Sequence, residues 1–248
     1  MLMLNNILFN GIRMPDFLIL KDIQIQLLGD VKNNFVESSH GSRHKNIKFG
    51  TKRVKLELST IFETGDIIPK SDIDDITKWK RGNDWKPSKL VLPGYEDEYY
   101  MAIVDNSGDV KNNIIEGVFT LEFICLNPNR TSEVEYKASF TSTSTIDYLG
   151  TTNTYPNIKI NVTSKCSELK LSISNSKHNN YIKFKGDFNS GEIIEIDMRT
   201  KKVLRNNEVN MPILTLDSRF HELIPGDNKY ALTSGNASIE IKYRNEYI

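Results

Sequence analysis

The stretch Asn157-Ile158-Lys159-Ile160-Asn161-Val162 alternates polar and apolar residues with a period of two. Because successive side chains of a β-strand point to opposite faces, this pattern predicts a half-buried strand. The same alternation recurs in Val54/Leu56/Leu58, Tyr100/Ala102/Val104, Phe119/Leu121/Phe123, Leu169/Leu171/Ile173 and Ile239/Ile241/Tyr243. Turn-forming residues separate these segments, for example Asn106–Asp109. Many short strands with turns between them predict a mainly β protein built as a sandwich or barrel.

One segment has the spacing of a helix. Ser71 at its start predicts an N-cap, and Gly82 after Lys80 and Arg81 predicts its end. Its apolar stripe consists of Ile73, Ile76 and Trp79. A stripe of this width is typical of a helix that packs on a sheet.

The chain of 248 residues is long enough for two domains, and its composition changes after Pro128. Residues 129–154 are rich in Ser and Thr, and no helical period follows Tyr155. We therefore place a boundary near residue 130. Residues 1–130 are predicted to contain strands and the helix, and residues 131–248 to be all β.

Charge and cysteine content exclude several classes of protein. Lys and Arg total 32, as do Asp and Glu, so no net charge favours nucleic acid or an anionic membrane. The two cysteines, Cys125 and Cys166, are too few for a disulfide framework, and Cys125 is expected to pack as a small buried hydrophobe. No membrane span or secretory signal is apparent, so the cytoplasm is the default compartment.

No residue pattern indicates catalysis, a cofactor or a metal. His40 and His44 lie in a stretch, SSHGSRHKN, whose Gly and Ser residues favour a solvated loop. Nucleophile elbows, phosphate-binding loops, dinucleotide fingerprints and Cys-x-x-Cys pairs are all missing. The sequence therefore assigns no catalytic, cofactor-binding or metal-ligating residue, and predicts that the protein is not an enzyme.

Three other functions stay open at this point. A glycosidase would need two carboxylates such as Asp74 and Glu98 across a cleft, although a helix start and a polar turn explain their acidic clusters. The basic stretch 43–55 is a weak nucleic-acid patch, better explained by a solvated face or a protein interface. A glycan- or receptor-binding module would have to use tyrosines of the second half as its platform, namely Tyr155, Tyr181, Tyr230, Tyr243 or Tyr247.

Taken in order, several segments resemble the distal tail protein family (Dit) of long, non-contractile phage tails. In the first half they are Phe9-Asn10-Gly11, Gly50-Thr51-Lys52-Arg53, the helix ending at Trp79 with Lys86–Leu90 after it, Tyr99–Ala102, Gly117–Phe123 and Asn127-Pro128. In the second half they are Tyr155–Ile160, Gly191–Asp197, Phe220–Asn228 and Ile239–Arg244. Their order and the total length both fit the family.

The resemblance implies a virion structural protein at the distal end of the tail, present in the host cytoplasm during assembly. It implies a ring-forming belt domain over residues 1–130 and a galectin-like β-sandwich over residues 131–248. Six copies would form one ring, or two stacked rings, that joins the tail tube protein to the tail tip fibre or lysin protein, with receptor-binding or baseplate proteins as further partners. The sugar-binding residues of galectins have no matching cluster after residue 130, so sugar binding is not expected to follow from that fold.

Overall fold

The computed structural model describes residues 6–61, 69–105 and 118–248. It divides into two compact units, residues 1–131 with Ile248 and residues 132–247. Strands dominate both units, which confirms the predicted mainly β fold. The predicted turn at residues 106–109 lies outside the described residues.

The first unit contains one antiparallel sheet, one helix and a separate strand pair. Its elements are β1 (Leu8–Phe9), β2 (Ile12–Arg13), β3 (Leu18–Ile25), β4 (Val31–Ser38), β5 (Gly41–Phe49), β6 (Lys52–Thr60), α1 (Lys70–Arg81), β7 (Ser88–Val91), β8 (Glu98–Val104) and β9 (Val118–Cys125), with β10 (Arg130–Ser132) at the change to the second unit. The main sheet has the strand order β2-β1-β7-β8-β9-β6-β3. Neighbouring strands in it are antiparallel.

The core of the first unit follows the alternation read from the sequence. Val54, Leu56 and Leu58 of β6 are fully buried, as are Leu121 and Phe123 of β9 opposite them. Cys125, the last residue of β9, is also buried and free of any disulfide, and burial raises the pKa of its thiol to about 12. The prediction that this cysteine packs as a small hydrophobe is confirmed.

Helix α1 differs from the prediction at its start. Pro69 is the N-cap, and the amides of Asp72 and Ile73 donate to its carbonyl, so Ser71 already lies inside the first turn. The Ser71 hydroxyl donates to the Asp72 carboxylate instead of capping the helix. The predicted Ser71 cap is therefore wrong, because the helix begins earlier, at Lys70, directly after Pro69, whose fixed φ restricts how the chain enters the helix. The predicted end is confirmed, since Gly82 at φ +53° is the C-cap.

The helix packs on the sheet through Ile76 and Trp79, whereas Ile73 is 43% exposed. The Trp79 indole N–H donates to the Ile12 carbonyl at 3.1 Å, and its ring meets Phe123 edge-on at 6.4 Å between centroids. Gly82 then lies against the Phe9 ring, where an added Cβ would come within 2.6 Å of a ring carbon. The apolar stripe is thus narrower than predicted, and glycine is needed where the helix ends.

The second unit is a sandwich of two antiparallel sheets. Its elements are β11 (Tyr136–Phe140), β12 (Thr143–Tyr148), β13 (Asn157–Val162), β14 (Cys166–Ser174), β15 (Asn179–Phe188), β16 (Ile193–Asp197), β17 (Lys202–Arg205), β18 (Glu208–Val209), a 3₁₀ turn (Met211–Ile213), β19 (Gly226–Ser234), β20 (Ala237–Tyr243) and β21 (Glu246–Tyr247). One sheet has the order β11-β20-β13-β16-β17-β18 and the other β12-β19-β14-β15. Apolar residues of both sheets form one buried cluster, as the packing of two sheets face to face requires.

His221 lies inside this second core and should make the unit sensitive to acid. The side chain is 4% exposed, and its Nε2 lies 3.0 Å from the Tyr230 hydroxyl. Burial lowers the pKa of His221 to about 4 from an ordinary 6.5, so the folded state keeps the imidazole neutral where the unfolded chain takes up a proton. Protonation of His221 in the unfolded chain therefore costs no stability above about pH 6.5. Between about pH 6.5 and 4 the free energy of unfolding should fall by up to about 3 kcal/mol.

The measurement is the free energy of unfolding by urea at several pH values between 7.5 and 4. The variant His221→Gln should show a shallower loss on acidification than the parent protein, because glutamine does not titrate. Parallel pH profiles for the two proteins would contradict the assignment to His221.

Candidate assembly surfaces

The chain between β3 and β6 forms a two-stranded antiparallel ribbon. Strands β4 and β5 pair with each other from Val31↔Phe49 to Ser38↔Gly41, and among the described residues neither pairs with another strand. Backbone hydrogen bonds from the Asp30 amide to Thr51 and from the Gly50 amide to Asp30 fix its base. We call residues 31–49 the ribbon.

The ribbon overturns the loop predicted for SSHGSRHKN. Only Ser39 and His40 form the turn, while Ser42–Asn46 belong to β5. The His44 ring packs edge-on against Phe35 at 5.6 Å, and the His40 Nδ1 lies 3.0 Å from the Ser39 hydroxyl. Gly41, at φ +109° directly after the turn, allows the chain to reverse, so the glycine and serines that favoured a loop belong to a hairpin instead. Across residues 6–61, 69–105 and 118–248, no group of three His, Cys, Asp or Glu residues could hold a metal ion.

The acidic groups considered for glycosidase chemistry have structural contacts. Glu98 accepts a hydrogen bond from Arg130 at 2.6 Å, and the guanidinium of Arg130 also lies over the Tyr95 ring. A Glu96 carboxylate oxygen accepts from the Gly94 amide, which lowers the pKa of Glu96. Glu96 therefore stabilises the turn before β8, and Glu98, the first residue of β8, pairs with Arg130 of β10.

The tyrosines of the second unit are also engaged in contacts. Tyr230 is buried, and Tyr243 stacks on Tyr136 at 5.6 Å between ring centroids. The Tyr181 hydroxyl donates to Asp217 at 2.6 Å while Lys170 lies over its ring. Tyr155, 37% exposed, lies 5.5 Å from the Arg199 guanidinium. Each of these four tyrosines is therefore either buried or in contact with a charged or aromatic side chain.

A cleft of about 250 Å³ lies on the six-stranded sheet. Six of its nine lining residues are polar or charged, and the full set is Asn157, Ile158, Lys159, Glu195, Ile196, Asp197, Leu204, Glu240 and Lys242. Lys159 pairs with Glu195 at 3.5 Å and Lys242 with Glu240 at 3.2 Å, so its charges largely neutralise one another. The lining contains no aromatic ring, which leaves this cleft without the usual element of a glycan site.

The second unit matches a known family. Residues 149–247 match the C-terminal domain of the siphovirus-type tail component family. The match covers this domain alone, and there the chain is similar to the siphovirus-type tail component family. The matched segment begins just after β12 and ends in β21, so it covers most of the sandwich. The resemblance to the distal tail protein family is thereby confirmed.

One solved structure shares the fold over nearly the whole chain. SPP1 Dit, described as a paradigm of the hub adsorption apparatus of phages infecting Gram-positive bacteria, is 12% identical at a TM-score of 0.75, with 96% of this chain and 98% of that chain covered. Two baseplate structures of phage p2 in its activated conformation, with Ca and with Sr, are 10% and 9% identical at TM-scores of 0.40 and 0.41, with 98% of each chain covered. No curated protein sequence matches the chain significantly.

No helix in the described ranges is long and apolar enough to cross a membrane.

Sequence reasoning missed the ribbon, although part of its signal was present. Val31, Asn33 and Phe35 alternate with Lys32 and Asn34, and Ile47-Lys48-Phe49 alternates in the same way. Asn and Lys residues occupy both faces of these two segments, so the alternation of apolar and polar residues is incomplete there.

Proposed function

We propose that this protein is a virion structural protein that forms a hexameric hub at the distal end of a long non-contractile phage or prophage tail. In this proposal the ring joins the tail tube protein to the tail tip fibre, lysin or baseplate proteins. The observation that carries it is the match of residues 149–247 to the tail component family. The shared fold with SPP1 Dit, whose description names a hub, supports the same function over the rest of the chain.

In this proposal the first unit forms the ring and the second, a galectin-like sandwich, is available to further tail proteins. A closed ring of identical subunits needs two different complementary patches on each copy. The ribbon supports such an arrangement, because it exposes Phe35 and Phe49 to solvent at 61% and 58%. Large exposed apolar side chains gathered on one element indicate a protein interface. No enzymatic activity is proposed.

The first test is the mass of the purified protein by light scattering over a range of concentrations, followed by negative-stain imaging of the main species. We expect rings of about six copies with an open centre. Ring formation can require a neighbouring tail protein as a template. The experiment is therefore repeated with the tail tube protein added and again with the tail tip protein added. A monomer under all three conditions would contradict the proposed hub.

A further inference from the structure

A lysine occupies a core position at the start of β6. Lys52 continues the buried side of this strand, which also carries Val54 and Leu56, and only 2% of the lysine is exposed. It lies opposite Cys125, the fully buried last residue of β9. Lysine is almost never buried to this degree unless a group of opposite charge pairs with it. The charge at this position therefore requires a partner.

None of the described residues supplies that partner. Within residues 6–61, 69–105 and 118–248, no carboxylate lies within 4.0 Å of the Lys52 ammonium. Burial lowers the pKa of Lys52, and the positive charge of Arg130 lowers it further. The folded protein thus holds a buried cation beside a second cation, which is costly without a negative charge between them.

Tyr100 adds a hydrogen-bond donor that also lacks a partner. The Lys52 ammonium lies 5.5 Å from the centre of the Tyr100 ring. The Tyr100 hydroxyl is fully enclosed and makes no hydrogen bond. Burial raises the pKa of Tyr100, so the hydroxyl keeps its proton and stays a donor. Because lysine and arginine side chains have donors and no acceptor, neither Lys52 nor Arg130 can accept this hydrogen bond.

Arg130 completes the group and fixes its net charge. The Arg130 Nε donates to the Glu98 carboxylate at 2.6 Å, and the guanidinium lies 4.3 Å from the centre of the Tyr95 ring. Two cations, Lys52 and Arg130, against the one carboxylate of Glu98 leave a net charge of +1. We call Lys52, Tyr100 and Arg130 the donor cluster. It has spare donors and one positive charge in excess.

These two properties define the chemistry of a ligand. A carboxylate carries a single negative charge and two acceptor oxygens, so one group can accept from the Lys52 ammonium and from the Tyr100 hydroxyl together. Hydrogen bonds between charged groups of this kind are stronger than those between neutral groups. A phosphate group would bring about 1.5–2 negative charges and leave an excess of charge beside two buried side chains.

We infer that the donor cluster is a binding site for a carboxylate group that comes from outside the described residues. The group belongs either to a free carboxylate ion or to an Asp or Glu side chain of another protein chain, and the experiments below separate these two sources. The inference is independent of the proposed hub, since it rests on the charges within one copy.

The first experiment measures urea denaturation of the full-length protein in sodium chloride and in sodium acetate at equal ionic strength. Acetate should raise the folded-to-unfolded ratio of the parent protein, about elevenfold at ten times its Kd. Lys52→Met keeps the apolar stem and removes the charge, so it should abolish this gain. In chloride the same variant should exceed the parent's folded-to-unfolded ratio at least about fivefold, because no unpaired ammonium is buried.

Two further variants make this result specific. Lys55→Met, on the opposite face of β6, is the matched control and should keep the full response to acetate. The general effect of acetate as a salt is common to all variants and therefore cancels. Tyr100→Phe removes only the hydroxyl, so it should be more stable than the parent in chloride and respond less to acetate. It also tests the site should Lys52→Met fail to fold.

The second experiment tests for a protein carboxylate by carbodiimide cross-linking, which joins a carboxylate to an amine in contact with it. The full-length protein is treated alone at high concentration and again with the tail tube protein added, and the linked peptides are mapped by mass spectrometry. A link from Lys52 to an Asp or Glu of another chain assigns the carboxylate to that chain. A response to acetate without such a link assigns it to a free ion.

Three outcomes would overturn the inference. One is the absence of both the acetate response and the Lys52 cross-link. Another is a loss of stability of Lys52→Met in chloride, since it would mean that the chain itself already neutralises the ammonium. The third is a response to inorganic phosphate but not to acetate, because the site would then not be one for carboxylates. None of these outcomes bears on ring formation, so the proposed hub stands or falls separately.

Discussion

Replacing Trp79 with alanine is expected to lower the free energy of unfolding by about 3–5 kcal/mol, the usual cost of emptying a large aromatic site in a core. The indole is 1% exposed and sits between α1 and the sheet. Alanine would remove its edge contact with Phe123 and its hydrogen bond to the Ile12 carbonyl. Helix α1 would keep only Ile76 as a buried anchor, so the helix should detach before the sheet unfolds.

Trp85 provides a matched control, because it is the protein's other tryptophan and lies only six residues away. Trp85→Ala removes an exposed ring, so we expect a change within about 0.5 kcal/mol. Chemical denaturation of dilute protein followed by far-UV circular dichroism measures both variants. Trp79 fluorescence in Trp85→Ala should shift to the red on unfolding, since a buried indole becomes exposed. Equal destabilisation by the two substitutions would contradict the described packing of α1.

Replacing Asn228 with alanine is expected to cost about 3 kcal/mol in the second unit, because buried polar groups left without partners each cost about 1–3 kcal/mol. Asn228 is completely buried at the start of β19. Its amide nitrogen donates to the carbonyls of Ile224 and Gly226, both at 2.8 Å. Its amide oxygen accepts from the Ile224 amide and from the Asn175 side chain. One side chain thus holds together the turn that precedes β19 and a neighbouring loop.

Hydrogen exchange measured by mass spectrometry can locate this effect. Peptides covering residues 220–234 of Asn228→Ala should exchange faster than those of the parent protein, and the midpoint of denaturation should fall. Asn189→Ala is the control, because Asn189 is exposed and its side chain makes one contact with Glu192 at 3.2 Å. Unchanged protection of residues 220–234 in Asn228→Ala would refute the role assigned to this side chain.

The strands of both cores could be predicted from the sequence because alternation is a local property. Residues such as Leu56, Phe123, Ile160 and Ile241 alternate with polar neighbours, and each is buried in the structure. The end of α1 at Gly82 was predictable for the same reason, since positive φ favours glycine at that one position. The start of the helix was not, because Pro69 and Ser71 both carry valid start signals and the capping geometry selects between them.

The sequence by itself determined a mainly β chain with one helix and, through the order of its segments, a resemblance to the distal tail protein family. Only the tertiary structure decided which exposed residues share a face. Phe35 and Phe49 lie 14 positions apart in the sequence, and the pairing register of β4 and β5 places both on one side of the ribbon. The positive φ of Trp85 is equally invisible in the sequence, because it arises in a turn closed by hydrogen bonds from the Lys86 amide to the Asn83 carbonyl and from the Trp85 amide to the Arg81 carbonyl. Surfaces of this kind arise from register and turn geometry between distant residues, which local periodicity does not encode.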